Sequence, residues 1–228
     1  MLIFIYFTIY SFIGYICEVI FCSFGQRRLV NRGFLYLPIC PIYGLGAVLI
    51  IIFQTYINNI LILFLLSIVF TTIIEYLTSY IIEKVLKIKL WDYSDKKYNI
   101  NGRVCLKNSI LFGLMGIVLV FIHPYIIDFI NVIDKDIIYY LGVILIIVLV
   151  IDFIFSIIKY VNIFRMLNLM YYYIDDRLEI IDDKKALAID FFESSKFSRI
   201  MRKLVYSYPN IKKKNVNIKD IFNKYFMD

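Results

Sequence analysis

Three carboxylates, Glu18, Glu75 and Asp152, lie six or more residues from the ends of apolar runs that are each long enough to cross a membrane. A lone ionised side chain near mid-membrane costs about 2.5–3.5 kcal/mol on insertion scales, so such residues usually face a partner, a cavity or a function. We count about 1.5 Å per helical residue from the outward-facing end of each run, at residues 2, 60 and 137. This places all three carboxylates about 22–24 Å below the outer end of their helices, in one layer. We predict either a buried structural bond or ion pair, or a role in substrate or proton transfer. For Asp152 the sequence favours the structural role.

Polar residues follow the helical spacing on both runs that carry a Glu. On the third run they are Thr71, Glu75, Ser79 and Glu83, at intervals of four. The first run has a narrower stripe of small and polar residues: Ser11, Gly14 or Tyr15, Glu18 and Cys22. Side chains four apart lie on one helical face, and small or hydroxyl-bearing side chains allow helices to approach and to hydrogen-bond. We therefore predict that these two faces meet.

Two arginines occur near the same layer, in two loops on the same side of the membrane. Arg32 lies in the string NRG and Arg103 in the string NGR. Guanidinium groups suit bidentate contacts with carboxylates or phosphates. Each arginine is predicted either to pair with a carboxylate or to bind an anionic headgroup.

The composition shows that the elements which position these residues are membrane helices. Of the 228 residues, 61% are hydrophobic and 19% are charged, whereas soluble domains average about 45–50% apolar and about 25% charged residues. Open strands cannot satisfy their backbone groups in lipid, and the apolar runs lack the alternation of barrel strands. We predict an all-α, polytopic integral membrane protein with five spans, at residues 2–24, 39–57, 60–84, 108–130 and 137–159.

Basic residues indicate the orientation of these spans. Of the 25 lysines and arginines, 3 lie in the first loop, 7 in the third and 14 from Lys159 onward, which leaves Lys135. Because cytoplasmic loops carry the excess of Lys and Arg, we predict an outer N-terminus and a cytoplasmic C-terminus. Residues 1–159 then form a transmembrane domain, and residues 160–228 form a cytoplasmic, basic, amphipathic tail. Topology and contact with anionic lipid account for the net charge of +7, so nucleic acid is not an expected partner.

The sequence does not indicate metal or cofactor chemistry. The four cysteines form no C-x-x-C pair, so we interpret them as small buried residues and expect no metal site. The single histidine, His123, precedes Pro124 near the outer end of the fourth span and is predicted to lie at the membrane interface. The chain has no G-x-x-x-x-G-K-S/T loop, so P-loop binding of ATP by this chain is excluded and no cofactor is expected.

Six strings resemble, in order, a known family: SFIGY (11–15), NRGFLY (31–36), PICPIYG (38–44), EYLTS (75–79), WDYS (91–94) and NINGRVCL (99–106). They resemble bacterial membrane proteins labelled putative ABC-transporter type IV permeases, over about residues 10–125. The resemblance implies a permease subunit of a transport system in the bacterial cytoplasmic membrane. Such a subunit requires a separate ATPase, and a homo-oligomer is expected because five spans are few for a transport path. The resemblance implies no catalytic residues.

The segment around Trp91 has two interpretations. It contains Trp91, Asp92, Tyr93, Asn101 and Gly102. Aromatic side chains anchor chain segments at headgroup depth, which favours an interfacial segment. The resemblance adds a second interpretation, a short helix that docks on the partner ATPase and carries its motion to the spans.

Two other functions stay open on the sequence alone. One is a membrane-embedded enzyme that acts on a lipid headgroup, with a Glu as acid or base and an Arg on the phosphate. The sequence shows no nucleophile or metal constellation for this chemistry, so an enzyme is the less favoured interpretation. The other is a non-catalytic membrane scaffold or sensor whose basic tail recruits partners. Membrane lipids are expected partners in every case.

Overall fold

The computed structural model describes residues 1–26, 34–86, 89–174, 212–213 and 216–217. Five helices make up most of this part of the chain: α1 (Leu2–Gln26), α2 (Pro41–Gln54), α3 (Ile60–Leu86), α4 (Leu106–Asn131) and α5 (Lys135–Ile174). There are also two small antiparallel hairpins, β1 (Asn99–Ile100) with β2 (Val104–Cys105), and β3 (Lys212–Lys213) with β4 (Val216–Asn217). Each of these strands has only two residues, so helices account for nearly all of the regular structure described. The predicted all-α class is confirmed.

Four helical segments are long and apolar enough to cross a membrane: Leu2–Phe24, Ile60–Val85, Leu106–Asn131 and Lys135–Asn162. The shortest has 23 residues, which at about 1.5 Å per residue exceeds the ~30 Å hydrocarbon core of a bilayer. Large apolar side chains are exposed along all four of these helices, as expected where lipid is the solvent. The chain is therefore a helical membrane protein.

The second predicted span, residues 39–57, is shorter in the structure than hydropathy suggests. α2 has 14 residues, or about 21 Å at ~1.5 Å per residue, which is less than the hydrocarbon thickness. It begins at Pro41, because proline fits the first helical turn, and Cys40 before it has extended backbone. Its last turn closes at Thr55, whose hydroxyl donates to the Ile52 carbonyl at 2.7 Å. α2 alone therefore does not span the core.

Two glycines allow α1 and α2 to approach closely. A Cβ added at Gly14 would collide with the side chain of Tyr43. A Cβ added at Gly44 would collide with the hydroxyl of Ser11 and lie 2.6 Å from the carbonyl oxygen of Phe7. Small residues are the usual means by which membrane helices reach such distances. These contacts fix α2 against the middle of α1.

The hydrophobic core lies where α1, α2 and α4 meet, and its buried members are Ile5, Tyr6, Tyr10, Ala47 and Ile130. His123 belongs to the same region and is 5% exposed. A hydrogen bond of 3.0 Å joins its Nδ1 to the hydroxyl of Tyr10, and the ring of Tyr6 packs edge-on against it. The sequence predicted an interfacial histidine, whereas the structure buries it inside the protein, because two tyrosines of α1 supply its contacts.

α3 and α4 pack through small and hydroxyl-bearing residues. A Cβ added at Gly116 would lie 2.5 Å from the Ser67 hydroxyl, which is buried. Further along the same two helices, the hydroxyl of Thr72 donates to that of Ser109 at 2.8 Å. Hydroxyl hydrogen bonds across a seam of small residues stabilise helix pairs in lipid. The polar side of α3 therefore faces protein rather than lipid.

The chain forms two compact units, the first comprising Met1–Ile81 and Asp92–Phe153 and the second comprising Ile82–Trp91 and Ile154–Asp228. The boundary that the sequence predicted between residues 159 and 160 lies inside α5, which continues without a break to Ile174. The amphipathic helices predicted in the tail lie outside the described residues.

Candidate functional site

Glu18 of α1 is held by a residue of α2. The hydroxyl of Tyr43 donates to its Oε2 at 2.5 Å, and the thiol of Cys22, one turn along α1, donates to its Oε1 at 3.3 Å. The Tyr43 hydrogen bond crosses the same seam in which Gly14 contacts the Tyr43 side chain. The close approach of the two helices thus brings the phenol to the carboxylate.

Glu75 of α3 is buried, with 5% of its surface exposed. A side-chain hydrogen bond joins it to Tyr93, and the Glu18 carboxylate is close enough to interact with it electrostatically. Its Oε2 has no hydrogen-bond partner within the described part of the chain. Glu18, Tyr43, Glu75 and Tyr93 are hereafter called the carboxylate cluster. The structure therefore brings together two of the three carboxylates singled out in the sequence.

Two further members of the predicted stripe lie on the same helix as Glu75. Ser79 is buried, with 4% of its surface exposed. Glu83 is partly buried and belongs to the second compact unit. The inward face of α3 thus carries Ser79 one turn beyond Glu75, while Glu83 is not part of the unit that holds the cluster.

Asp152 of α5 is used differently from the two glutamates. Its Oδ1 accepts the backbone N–H of Tyr36 and its Oδ2 accepts that of Leu37, both at 3.0 Å. The segment that these amides belong to is also held at its other end, where the Cys40 N–H donates to the Ser11 carbonyl at 2.9 Å. Asp152 therefore holds in place the non-helical segment that leads into α2.

The structure describes only one of the two arginines that the sequence singled out, Arg103. Arg32 lies outside the described residues. The Arg103 guanidinium lies over two aromatic rings of α3, 5.6 Å from the Tyr76 ring centroid and 5.4 Å from the Tyr80 ring centroid. Cation–π contacts of this kind are favourable within about 6 Å. Arg103 therefore attaches the β1–β2 hairpin to α3, close to Glu75 along the helix.

The β1–β2 hairpin turns at Asn101 and Gly102, which have positive φ values of 53° and 68°. Positive φ at both central residues is what type I′ turns require, and Asn-Gly is their preferred sequence. The Arg103 N–H donates to the Ile100 carbonyl at 3.0 Å across the turn. The side-chain amide of Asn101 donates to the Tyr76 hydroxyl at 2.9 Å. The turn is thus both tight and fastened to α3.

The hairpin positions Tyr93 of the carboxylate cluster. The Tyr93 N–H donates to the Gly102 carbonyl at 2.7 Å. Asp92 beside it is buried and accepts hydrogen bonds from the backbone N–H and the hydroxyl of Ser94, at 3.0 and 2.5 Å. Trp91 belongs to the second compact unit. Over residues 89–105 the chain forms turns and a hairpin, so the predicted short docking helix is absent there.

Replacing Gly102 with Ala is expected to lower the free energy of unfolding by about 1–3 kcal/mol. A Cβ at this position has an unfavourable φ, would collide with Oδ1 of Asp92 and would lie 2.5 Å from the Ser94 hydroxyl. Chemical denaturation of the detergent-solubilised protein, followed by circular dichroism, measures the change. Tyr98→Gly is the control, because Tyr98 also has positive φ but is 79% exposed. Equal stability of Gly102→Ala and wild type would contradict this account of the turn.

Sequence reasoning missed the role of Tyr43, although it lies in the string PICPIYG. It treated Tyr93 as part of a partner-binding loop, whereas the structure shows that Tyr93 contacts Glu75. In the described ranges there is no group of three or more His, Cys, Asp or Glu residues placed to hold a metal ion. The four cysteines are free thiols. Two carboxylates with two phenols suit the binding of a proton or of a hydrogen-bond donor.

Comparison with known proteins gives one family. Residues 5–157 match the family described as "Putative ABC-transporter type IV". No curated protein and no solved structure matches the chain. The matched region covers more than half of the chain and includes the carboxylate cluster, Asp152 and the β1–β2 hairpin. The chain belongs to this family, and the match, together with the long apolar helices, fits a transport-related membrane protein.

Proposed function

We propose that this chain is a permease subunit of an ABC-type transport system in the bacterial cytoplasmic membrane, driven by a separate ATPase. The observation that supports the proposal is the carboxylate cluster, in which Glu18 and Glu75 from two membrane helices meet inside an apolar protein. Burying ionisable groups in a membrane protein is costly. The groups that are found there commonly mark substrate and ion pathways. In this proposal the non-helical residues on either side of α2 complete a fifth crossing, so that the N-terminus lies outside and the β1–β2 hairpin faces the cytoplasm.

The exposed part of the hairpin segment is the proposed contact with the ATPase. Asp92 is buried, whereas the residues that follow Tyr93 are exposed, among them Lys96, Lys97 and Tyr98. Behind this surface, Tyr93 reaches Glu75 and Asn101 reaches Tyr76, so the segment is joined to α3 at two points. Movement of the exposed surface would therefore be transmitted directly to the carboxylate cluster. This supports docking at residues 94–98 rather than at Trp91 and Asp92.

The double variant Lys96→Glu, Lys97→Glu is expected to lower the amount of co-purified ATPase at least ~10-fold, because reversing two rim charges opposes a complementary surface. The measurement is affinity purification from the native bacterium in mild detergent, followed by quantitative mass spectrometry. Both side chains are exposed, so the fold should tolerate the change.

Lys135→Glu is the matched control, because Lys135 is exposed at the start of α5, on the side predicted to lie outside. It should leave ATPase recovery unchanged. If the wild-type protein is purified with no ATPase, the permease proposal fails. If Lys135→Glu and the double variant lose the ATPase equally, the assignment of the docking surface fails.

A further inference from the structure

Glu75 has a carboxylate oxygen whose hydrogen-bonding capacity is unused. The side chain is 95% buried, since 5% of its surface is exposed. One oxygen is bonded to Tyr93, and Oε2 has no partner among the residues that the structure describes. A buried carboxylate oxygen without a donor forgoes a charge-assisted hydrogen bond and is therefore unfavourable unless something occupies it. Oε2 of Glu75 is therefore the atom of the carboxylate cluster at which a proton or a hydrogen-bond donor is most favourable.

The groups that interact with Glu75 are Tyr93 of the hairpin segment and Glu18 of α1. Cys40 and Tyr43, at the start of α2, interact with Glu18, and Arg103 of the hairpin lies over the ring of Tyr76. The Arg103 guanidinium lies over the tyrosine rings of α3, and it donates no hydrogen bond to Oε2. The other four groups are acids or phenols or a thiol, and none of them brings a positive charge. A second carboxylate beside Glu75 adds repulsion that a bound cation relieves.

The side chains of the described residues favour a proton over a metal ion, because no group of three or more His, Cys, Asp or Glu residues among them is placed to hold a metal ion. A proton needs no additional volume. Once bound, it converts Oε2 into a hydroxyl and leaves the other oxygen of Glu75 as the carbonyl that accepts the Tyr93 hydrogen bond.

We propose that Glu75 is the proton-binding residue of the first compact unit and that it binds one proton at Oε2. The reaction is the association of a carboxylate with a proton, in which one O–H bond forms and no other bond changes. Tyr93 connects this group to the segment whose next residues are exposed, which places the exchange with water on the hairpin side. Proton binding stands independently of the ATPase, whereas its use in a transport cycle rests on the proposed function.

Infrared difference spectroscopy of the full-length protein in lipid nanodiscs tests this proposal. Spectra of the same sample in acidic and alkaline buffer should differ by the C=O stretching bands of the carboxylic acids that are neutral in acid, and one of these bands should belong to Glu75. The band should be absent in Glu75→Gln, which keeps the size of the side chain. It should be retained in Asp128→Asn, because Asp128 is exposed on α4.

Tyr93→Phe supplies an independent measurement in a variant that keeps Glu75. A carbonyl that loses a hydrogen bond absorbs at higher frequency, so the band should shift upward if Tyr93 donates to the protonated Glu75. If no carboxylic-acid band of the wild-type difference spectrum is lost in Glu75→Gln, the proposal is overturned. If Glu75→Gln does not fold, an unshifted band in Tyr93→Phe would overturn it as well. A Glu75-dependent band in a protein that recovers no ATPase would support proton binding while refuting the permease proposal.

Discussion

Replacing Asp152 with Ala should lower the free energy of unfolding by about 2–5 kcal/mol, because each of two backbone amides then loses its charged acceptor, at about 1–3 kcal/mol each. The amides are those of Tyr36 and Leu37, each 3.0 Å from a separate oxygen of the carboxylate. Asp152 is itself buried, with 8% of its surface exposed, so water does not readily replace it as acceptor. Denaturant unfolding in detergent, followed by circular dichroism, measures the loss.

The series Asp152→Asn and Asp128→Asn tests the physical reason for this effect. An amide keeps one acceptor oxygen and presents an NH2 group to the other backbone N–H, so Asp152→Asn should lose stability by an amount between that of Asp152→Ala and wild type. Asp128 is exposed on α4, and its conversion to Asn should change stability by less than ~0.5 kcal/mol. If Asp152→Ala has the same free energy of unfolding as the wild type, the segment before α2 does not depend on this carboxylate for its stability.

The long helices were predictable because membrane insertion depends on local composition. A run of about 20 apolar residues satisfies its own backbone as a helix whatever it packs against. The predicted spans at 2–24, 60–84, 108–130 and 137–159 therefore fall on the four long apolar helices within a few residues. The length of α2 was not predictable in this way, since residues 39, 40 and 55–57 are mostly apolar but not helical. Hydropathy measures the side chains, whereas Pro38 and Pro41 limit the backbone.

The candidate site was predictable where helical spacing alone decides it. Intervals of four residues placed Glu75 and Ser79 on one inward face of α3, and both are buried there. The partners of the carboxylates were not predictable, because they depend on contacts between distant parts of the chain. Asp152 contacts backbone amides more than a hundred positions away, and a backbone amide has no sequence signal. Tyr43 reaches Glu18 because Gly14 and Gly44 let α1 and α2 approach closely. The sequence alone does not distinguish this contact from ordinary helix packing.

Replacing Gly44 with Ala should destabilise the protein by about 1–3 kcal/mol or more, because one extra methyl group overpacks the contact between α1 and α2. The added carbon would collide with the Ser11 hydroxyl and lie 2.6 Å from the backbone oxygen of Phe7. A side chain can rotate away, but the Phe7 carbonyl is part of α1, so the helices themselves must separate. Because Tyr43 adjoins Gly44, this separation should also weaken the hydrogen bond between Tyr43 and Glu18.

The matched control is Gly46→Ala, two residues further along the same helix. A Cβ at Gly46 comes no closer than 3.3 Å to another residue, and the atom that it approaches is the Thr71 methyl group. Since Ala also favours the helical state over Gly by about 0.5–1 kcal/mol, Gly46→Ala should be neutral or stabilising in the same unfolding experiment. The double variant Ser11→Ala, Gly44→Ala should remain destabilised, because the collision with the Phe7 carbonyl persists without the Ser11 hydroxyl. Full recovery in that double variant would show that the hydroxyl, and not the approach of the two backbones, sets the limit at this seam.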